Sequence, residues 1–277
     1  MTKLLAYLAV IRPINVVIGF LSIFMGAFIT GTIQPIEKVL LACLSGALIQ
    51  GAANAINDYF DLEIDLINKP HRPLPAGKVS RQEIFAFSMV LFMAGIICGG
   101  FVNTGALVIA ALSSALLYLY SARLKASVLY GNLAVSLVTG MAFIYGGVAV
   151  DRFQQALIPA GFSFLFHFGR EIIKDIQDVE GDEANRIVTF AIRFGKRISM
   201  QLTTAIYTVL IIATFLPYFY GIYGPAYFLV VVIGVDLVIL ACLISMWRAP
   251  VPAHLGKIST ILKADMLVGL LAIYLGT

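Results

Sequence analysis

Apolar runs of bilayer length, repeated along the whole chain, constrain this sequence more than any other feature. A transmembrane helix needs about 20 consecutive apolar residues. Runs of that kind lie at 13–31, 36–56, 82–101, 104–121, 128–149, 155–173, 200–219, 225–246 and 259–276. In lipid every backbone N–H and C=O must be satisfied internally, so a spanning segment is a helix or part of a closed barrel. The runs are continuous rather than alternating, which selects helices. Composition agrees: 60% of the residues are hydrophobic and 12% charged, against about 25% charged in a soluble domain. Mean hydropathy is +0.95. The expected fold is an all-α integral membrane bundle of about nine transmembrane helices, forming one polytopic domain over 1–277.

Pro35, Pro159 and Pro225 stand near the starts of spans, where the missing N–H is tolerated. The apolar run from Leu4 is interrupted by Arg12 and Pro13 and lacks a small-residue cleavage site, so no cleavable signal peptide is expected. Cys43, Cys98 and Cys242 lie inside apolar runs without disulfide or zinc spacing and read as core. The Gly99-Gly100 and Gly146-Gly147 pairs read as close helix contacts. Long polar connections at 57–81 and 174–199 alternate with short ones such as 32–35, 102–103 and 220–224. Nearly all Lys and Arg outside the spans, from Lys3 to Lys257, collect on the side of the long connections; Lys38 and Arg152 fall on the other. The positive-inside rule then places the N-terminus and both long connections in the cytoplasm of a multi-pass cell-membrane protein. The net charge of +4 reflects this topology, and no nucleic-acid partner is expected.

Each long connection carries an acidic triplet of the same spacing: Asp58, Asp61, Asp65 and then Asp175, Asp178, Asp182. On a helix the three carboxylates of a triplet fall within about 60° of one another. Three anions on one face repel unless cations sit among them, and carboxylates at a bilayer edge are costly without a function. Hard oxygen ligands suit Mg2+, which is commonly held by a few carboxylates together with substrate phosphates. Two such clusters in an apolar protein point to a diphosphate with a hydrocarbon tail. Asn54 shares the first acidic face and Glu63 points away; Glu171 joins the second and Glu180 does not. Gly181 invites a break that would put Asp182 on a turn.

Lys69, Arg72, Lys78, Arg193 and Lys196 are spaced to meet phosphate oxygens, Arg by a bidentate grip and Lys as a point charge. Lys174 lies within the second acidic stretch, and Tyr120, Ser121, Arg123 and Lys125 close the fourth span on the same side. A departing diphosphate would be stabilised by metal and these cations, and an apolar, aromatic cavity would shelter the allylic cation left behind. The attacking group's proton would pass to the diphosphate or to an Asp. A weak internal repeat follows the triplets: Asn68, Lys69, Arg72, Gly77-Lys78 after the first, and Asn185, Arg186, Gly195-Lys196 after the second. It fits two halves meeting around a central cavity.

The run Asn57-Asp58-Tyr-Phe-Asp61-Leu-Glu-Ile-Asp65, followed by Asn68-Lys-Pro-His-Arg72-Pro-Leu-Pro-Ala-Gly77, resembles the signature of the UbiA-type membrane prenyltransferases. The resemblance covers essentially the whole chain. It implies nine helices, and Asp58, Asp61, Asp65, Asp175, Asp178 and Asp182 as ligands of Mg2+ and prenyl diphosphate. It also implies a site role for Asn15. Three further stretches are similar to those of the archaeal members that attach a second geranylgeranyl chain to a glycerol phosphate ether lipid. These are Arg170–Asp182, Lys125-Ala-Ser-Val-Leu-Tyr-Gly131-Asn132 and Arg12-Pro13-Ile-Asn15. By that resemblance the donor is geranylgeranyl diphosphate and the acceptor the free hydroxyl of geranylgeranylglyceryl phosphate. The Pro that the family often places after the second motif is absent from Val188-Thr189-Phe190-Ala191.

Two alternatives remain at this level: the same chemistry on an aromatic quinone precursor or chlorophyll-type acceptor, and a cation-coupled transporter using the acidic faces. Transport is expected to need charges at mid-membrane, whereas the triplets gather at helix ends. Lys263 and Asp265, at the cytoplasmic end of the last span, and His167, read as a core residue, are assigned no chemistry.

Overall fold

The structure is a computed structural model. It describes residues 3–184 and 187–276, apart from the side chains of Asn68 and Ala184. The repeat residues Asn185 and Arg186 therefore lie outside the described residues. In chain order the helices are α1 (Lys3–Ile11), α2 (Pro13–Phe28), α3 (Ile36–Phe60), α4 (Leu62–Asn68), α5 (Arg81–Val102), α6 (Thr104–Ala122) and α7 (Tyr130–Ala149). They continue with α8 (Leu157–Ala184), α9 (Phe190–Phe194), α10 (Lys196–Phe219), α11 (Pro225–Val230), α12 (Leu237–Arg248) and α13 (Pro252–Gly276). A π-helical segment, Val231–Asp236, joins α11 to α12.

Each expected span falls on a helix. Among the described residues seven helical spans are long and apolar enough to cross a membrane, or eight if α1 and α2, bent by 48°, count as one. The remaining expected span is α8, a helix of 28 residues that carries Arg170, Glu171 and Lys174 as well as the second triplet. The long "connections" are largely helical: α3 and α4 carry the first triplet, and α8 carries the second without a break at Gly181. Gly181 meets no crowding that would interrupt the helix. The last helix starts at Pro252 rather than 259, so Asp265 sits midway along it, buried, instead of at its cytoplasmic end. Asp236, also buried, lies midway along the α11–α12 span and accepts a hydrogen bond from Thr214 at 3.1 Å. Not every acid gathers at a helix end.

The chain divides into two compact units, residues 1–125 with 141–157, and residues 126–140 with 158–277. In the first, close approach is built on glycine. A Cβ on Gly146 would stand 1.9 Å from the Ile23 carbonyl oxygen, and one on Gly26 would stand 2.1 Å from that of Phe143. Only hydrogen fits where α2 meets the second half of α7. The Tyr145 hydroxyl donates to Ser45 at 2.7 Å, and Ser45 donates to the Gly95 carbonyl at 2.6 Å, tying α7, α3 and α5 together. At one end of this unit Ala6, Val10, Ala55, Leu74, Val79 and Ile84 form a buried cluster with Tyr7, Tyr59, Leu62 and Phe87 around it. Leu74 and Val79 thereby pin the connection between α4 and α5. Ser80 and Glu83 close a capping box that starts α5.

In the second unit the Tyr207 hydroxyl of α10 donates to the Phe166 carbonyl of α8 at 3.1 Å, over Gly169. Arg170 donates to the Ser259 carbonyl at 3.1 Å, fixing α8 to α13. The Tyr227 hydroxyl donates to the Thr214 carbonyl at 2.8 Å.

Replacing Gly146 by Ala forces backbone of α2 and α7 apart and is expected to destabilise the protein by roughly 1–3 kcal/mol. Gly161→Ala, where nothing lies within 4 Å, is expected to be neutral or slightly stabilising. Thermal unfolding in detergent of the two variants checks the contrast.

Candidate active site

The first triplet sits where the apolar part of α3 ends. Backbone hydrogen bonds run from Asp61 N to Asn57 O (2.9 Å), from Asp65 N to Asp61 O (2.8 Å) and from Lys69 N to Asp65 O (2.9 Å). The i to i+4 register therefore continues through the joint between α3 and α4, and the acids stay on one face. Asn54, Asp58, Asp61 and Asp65 are 5, 3, 8 and 2% exposed, whereas Glu63 is exposed. A carboxylate buried to this degree is costly unless paired.

Each acid is paired. Arg12 donates to Asp58 Oδ1, which Arg72 also reaches at 3.2 Å. Arg72 bridges on to Asp65 Oδ2 at 2.6 Å. Lys125 meets Asp61 Oδ2, which also accepts from Asn57 at 2.8 Å. Asn54 accepts from Arg12 at 3.4 Å and donates to the Ile11 carbonyl at 2.8 Å. Three basic side chains of the chain itself, Arg12, Arg72 and Lys125, sit among these acids.

Two local features put those cations in place. Arg12 is the joint between α1 and α2, with φ 54° and ψ 75°. Pro13 follows at the first helical position and disfavours the ordinary helical conformation for the residue before it. Arg72 stands in the turn closed by Ala76 N to Arg72 O (2.9 Å) and Gly77 N to Leu74 O (3.0 Å), with Gly77 at φ +68°. Sequence reading selected Arg72 and Lys125. It missed Arg12 as a partner of Asp58, although a charge breaking an apolar run was the available signal.

The second triplet lies in the second unit and is held differently. Asp175 accepts from the buried Asn132 at 2.9 Å, an interaction the sequence reading also missed. Asp175 and Asp182 are half-buried and Asp178 is exposed. Glu171, 9% exposed, lies between Arg170 (3.3 Å) and Lys174 (2.9 Å), so Lys174 pairs with Glu171 rather than with an Asp. Identical spacing has given two unlike environments.

Lys69 and Lys78 are exposed, as is Arg123 at the end of α6. Ser121 is buried, and Tyr120 and Asn15 are half-buried. Arg193 is exposed and lies over the Phe194 ring at 5.6 Å, and Lys196 starts α10 half-buried. Among the described residues no three His, Cys, Asp or Glu side chains converge closely enough to form a metal nest. The donor set nonetheless fits a hard divalent cation of the Mg2+ type. Such an ion takes one or two carboxylates and completes its shell with water and phosphate oxygens, so it needs no three-acid cage.

These features define a polytopic helical membrane protein with a buried, cation-clamped carboxylate face at the end of an apolar span. The UbiA prenyltransferase family model matches residues 19–255, and the chain belongs to that family: it is a prenyltransferase. The chain is 37% identical to digeranylgeranylglyceryl phosphate synthase of Methanopyrus kandleri over 270 residues, covering 96% of this chain and 97% of that one. The enzyme of the same name from Methanothermobacter thermautotrophicus is 33% identical over 271 residues, 98% of this chain and 95% of its own. A solved structure of digeranylgeranylglyceryl phosphate synthase matches with a TM-score of 0.82 at 34% identity, covering 100% of this chain and 99% of that one. The fold is shared with a UbiA homologue from Archaeoglobus fulgidus solved with GPP and Mg2+. Its TM-score is 0.66 at 16% identity, over 97% of this chain and 99% of that one.

Arg72→Leu leaves Asp65 buried without its cation and is expected to destabilise the protein by about 3 kcal/mol. Asp65→Asn in the same background is expected to restore part of the loss. Unfolding midpoints of the single and double variants measure it.

Proposed function

We propose that this prenyltransferase moves a geranylgeranyl group from geranylgeranyl diphosphate to the free hydroxyl of geranylgeranylglyceryl phosphate, a step in ether membrane lipid synthesis. The observation that carries this choice of donor and acceptor is near full-length similarity to enzymes named digeranylgeranylglyceryl phosphate synthase. The chemistry is supported by the buried carboxylate face and its basic partners. Each unit contributes one acidic triplet of candidate metal and diphosphate ligands, and the chain works as a single functional domain. The face fits the divalent ion that accompanies the diphosphate in the A. fulgidus homologue. When bound, Mg2+ would neutralise the charge that builds on the departing diphosphate.

The residues of the chain do the rest. Asp58, Asp61 and Asp65, with Asp175, Asp178 and Asp182, supply oxygen ligands. Asn54 and Asn15 keep the polar end of the site in register. Arg72 and Lys125 bind phosphate oxygens, and Lys69, Lys78, Tyr120, Ser121, Arg123, Lys174, Arg193 and Lys196 are candidates for the remaining phosphate contacts, including the acceptor's own phosphate. As the C–O bond to the diphosphate breaks, its electron pair leaves with the diphosphate. The acceptor hydroxyl oxygen then bonds the allylic carbon and gives up its proton to the departing diphosphate or to an Asp carboxylate, and apolar helices keep water from competing. The ends of α3 and α8 that carry the triplets, and the N-terminus, face the cytoplasm, in keeping with the one-sided Lys and Arg distribution.

Purified protein given labelled geranylgeranyl diphosphate is expected to prenylate geranylgeranylglyceryl phosphate and not 4-hydroxybenzoate. Product with the aromatic acid alone would overturn the acceptor assignment. Asp61→Asn and Asp178→Asn are each expected to lower turnover by at least about a hundredfold. Chelation should abolish turnover, and added Mg2+ should restore it.

A further inference from the structure

The three basic side chains on the first triplet raise a question of competition. Asp58 Oδ1 is shared by Arg12 and Arg72, Asp65 Oδ2 is held by Arg72, and Asp61 Oδ2 is held by Lys125. Three carboxylates are thus balanced by three cations on a face where the acids are no more than 8% exposed. A divalent cation arriving alone would set five positive charges against three negative ones in a poorly solvated place. Like charges held that close repel strongly when little water screens them. A diphosphate brought with the metal changes the balance, because it offers phosphate oxygens to guanidinium and ammonium groups as they leave the carboxylates.

The basic side chains are built to move and the acids are not. Asp58 and Asp65 are helical residues, and Asp61 is locked between helices by backbone hydrogen bonds at both its N–H and its C=O. The side chains of Arg12 and Lys125 are 30% and 34% exposed and reach the acids from the α1–α2 joint and from beyond α6. The joint itself stays put, because Asn54 donates to the Ile11 carbonyl whether or not Arg12 keeps Asp58. Arg12 holds a left-handed conformation that a non-glycine residue adopts at a cost, as residues at functional sites often do.

We infer that Arg12 and Lys125, together with Arg72, compete with the divalent cation for the oxygens of Asp58, Asp61 and Asp65, so that metal binds weakly alone and strongly with a diphosphate. The inference rests on the proposed reading of this face as the metal and diphosphate site. It assigns Arg12 and Lys125 a function that runs opposite to simple support: removing either one helps the metal and harms the diphosphate.

The test uses the full chain in detergent, with Mn2+ as a spectroscopically visible cation and inorganic pyrophosphate as the anion. Free Mn2+ and the preformed Mn2+–pyrophosphate complex are titrated separately by electron paramagnetic resonance. Arg12→Gln and Lys125→Gln are each expected to tighten binding of Mn2+ alone by at least about fivefold and to weaken binding of the complex by a similar factor. Arg12→Lys is expected to fall between Arg12→Gln and the parent. Arg81→Gln is the control. It removes one positive charge from the same unit at a residue that lies over the Tyr59 ring, 4.7 Å from its centroid, and among the described residues forms no ion pair with Asp58, Asp61 or Asp65. Weakened or unchanged Mn2+ binding in both Arg12→Gln and Lys125→Gln would overturn the competition, as would an equal gain in Arg81→Gln. A parent protein that binds neither Mn2+ nor the complex would instead remove the underlying reading of the site, and the competition with it.

Discussion

Burying carboxylates at the edge of an apolar span is the constraint around which the first unit is organised. Asp58, Asp61 and Asp65 are nearly as inaccessible as the core residues beside them, and ions taken out of water cost several kcal/mol each unless paired. Much of the local architecture delivers those partners. The bent joint of α1 and α2 brings in Arg12, the turn anchored by Leu74 and Val79 brings in Arg72, and the stretch after α6 brings in Lys125. The apolar cluster seats the first two of these segments, through Ala6 and Val10 before the joint and through Leu74 and Val79 around the turn.

The second triplet shows that spacing is not environment. Its helix is unbroken, its middle Asp is open to solvent, and the buried charge nearby is Glu171, neutralised locally by Arg170 and Lys174. Asp175 is held by another helix, through Asn132. One unit therefore presents a pre-paired acidic face and the other a more accessible one. Asp236 and Asp265, buried at mid-span in the second unit, lie on segments that carry neither triplet.

The helices were legible because the apolar runs were long and unbroken, and all nine expected runs coincide with helical segments. Boundaries were less so. α13 begins a full two turns before its apolar stretch, since Pro252 starts the helix and His254, Gly256 and Lys257 are carried within it. Gly181 was read as a break on local preference alone, but a glycine at an open helical position weakens a helix without ending it. Both acidic faces were visible as a period, and Glu63 and Glu180 turned outward as that period required.

Local pattern was enough to specify a polytopic helical protein and the acidic faces, because hydropathy and helical period act over a few neighbouring residues. Which side chain meets which acid was decided only by folding. Arg12 and Asp58, Lys125 and Asp61, and Asn132 and Asp175 are far apart in the chain. Their pairing depends on where glycine contacts, a left-handed joint and anchored turns let helices come to rest. Those are properties of packing between segments, and no single segment contains them.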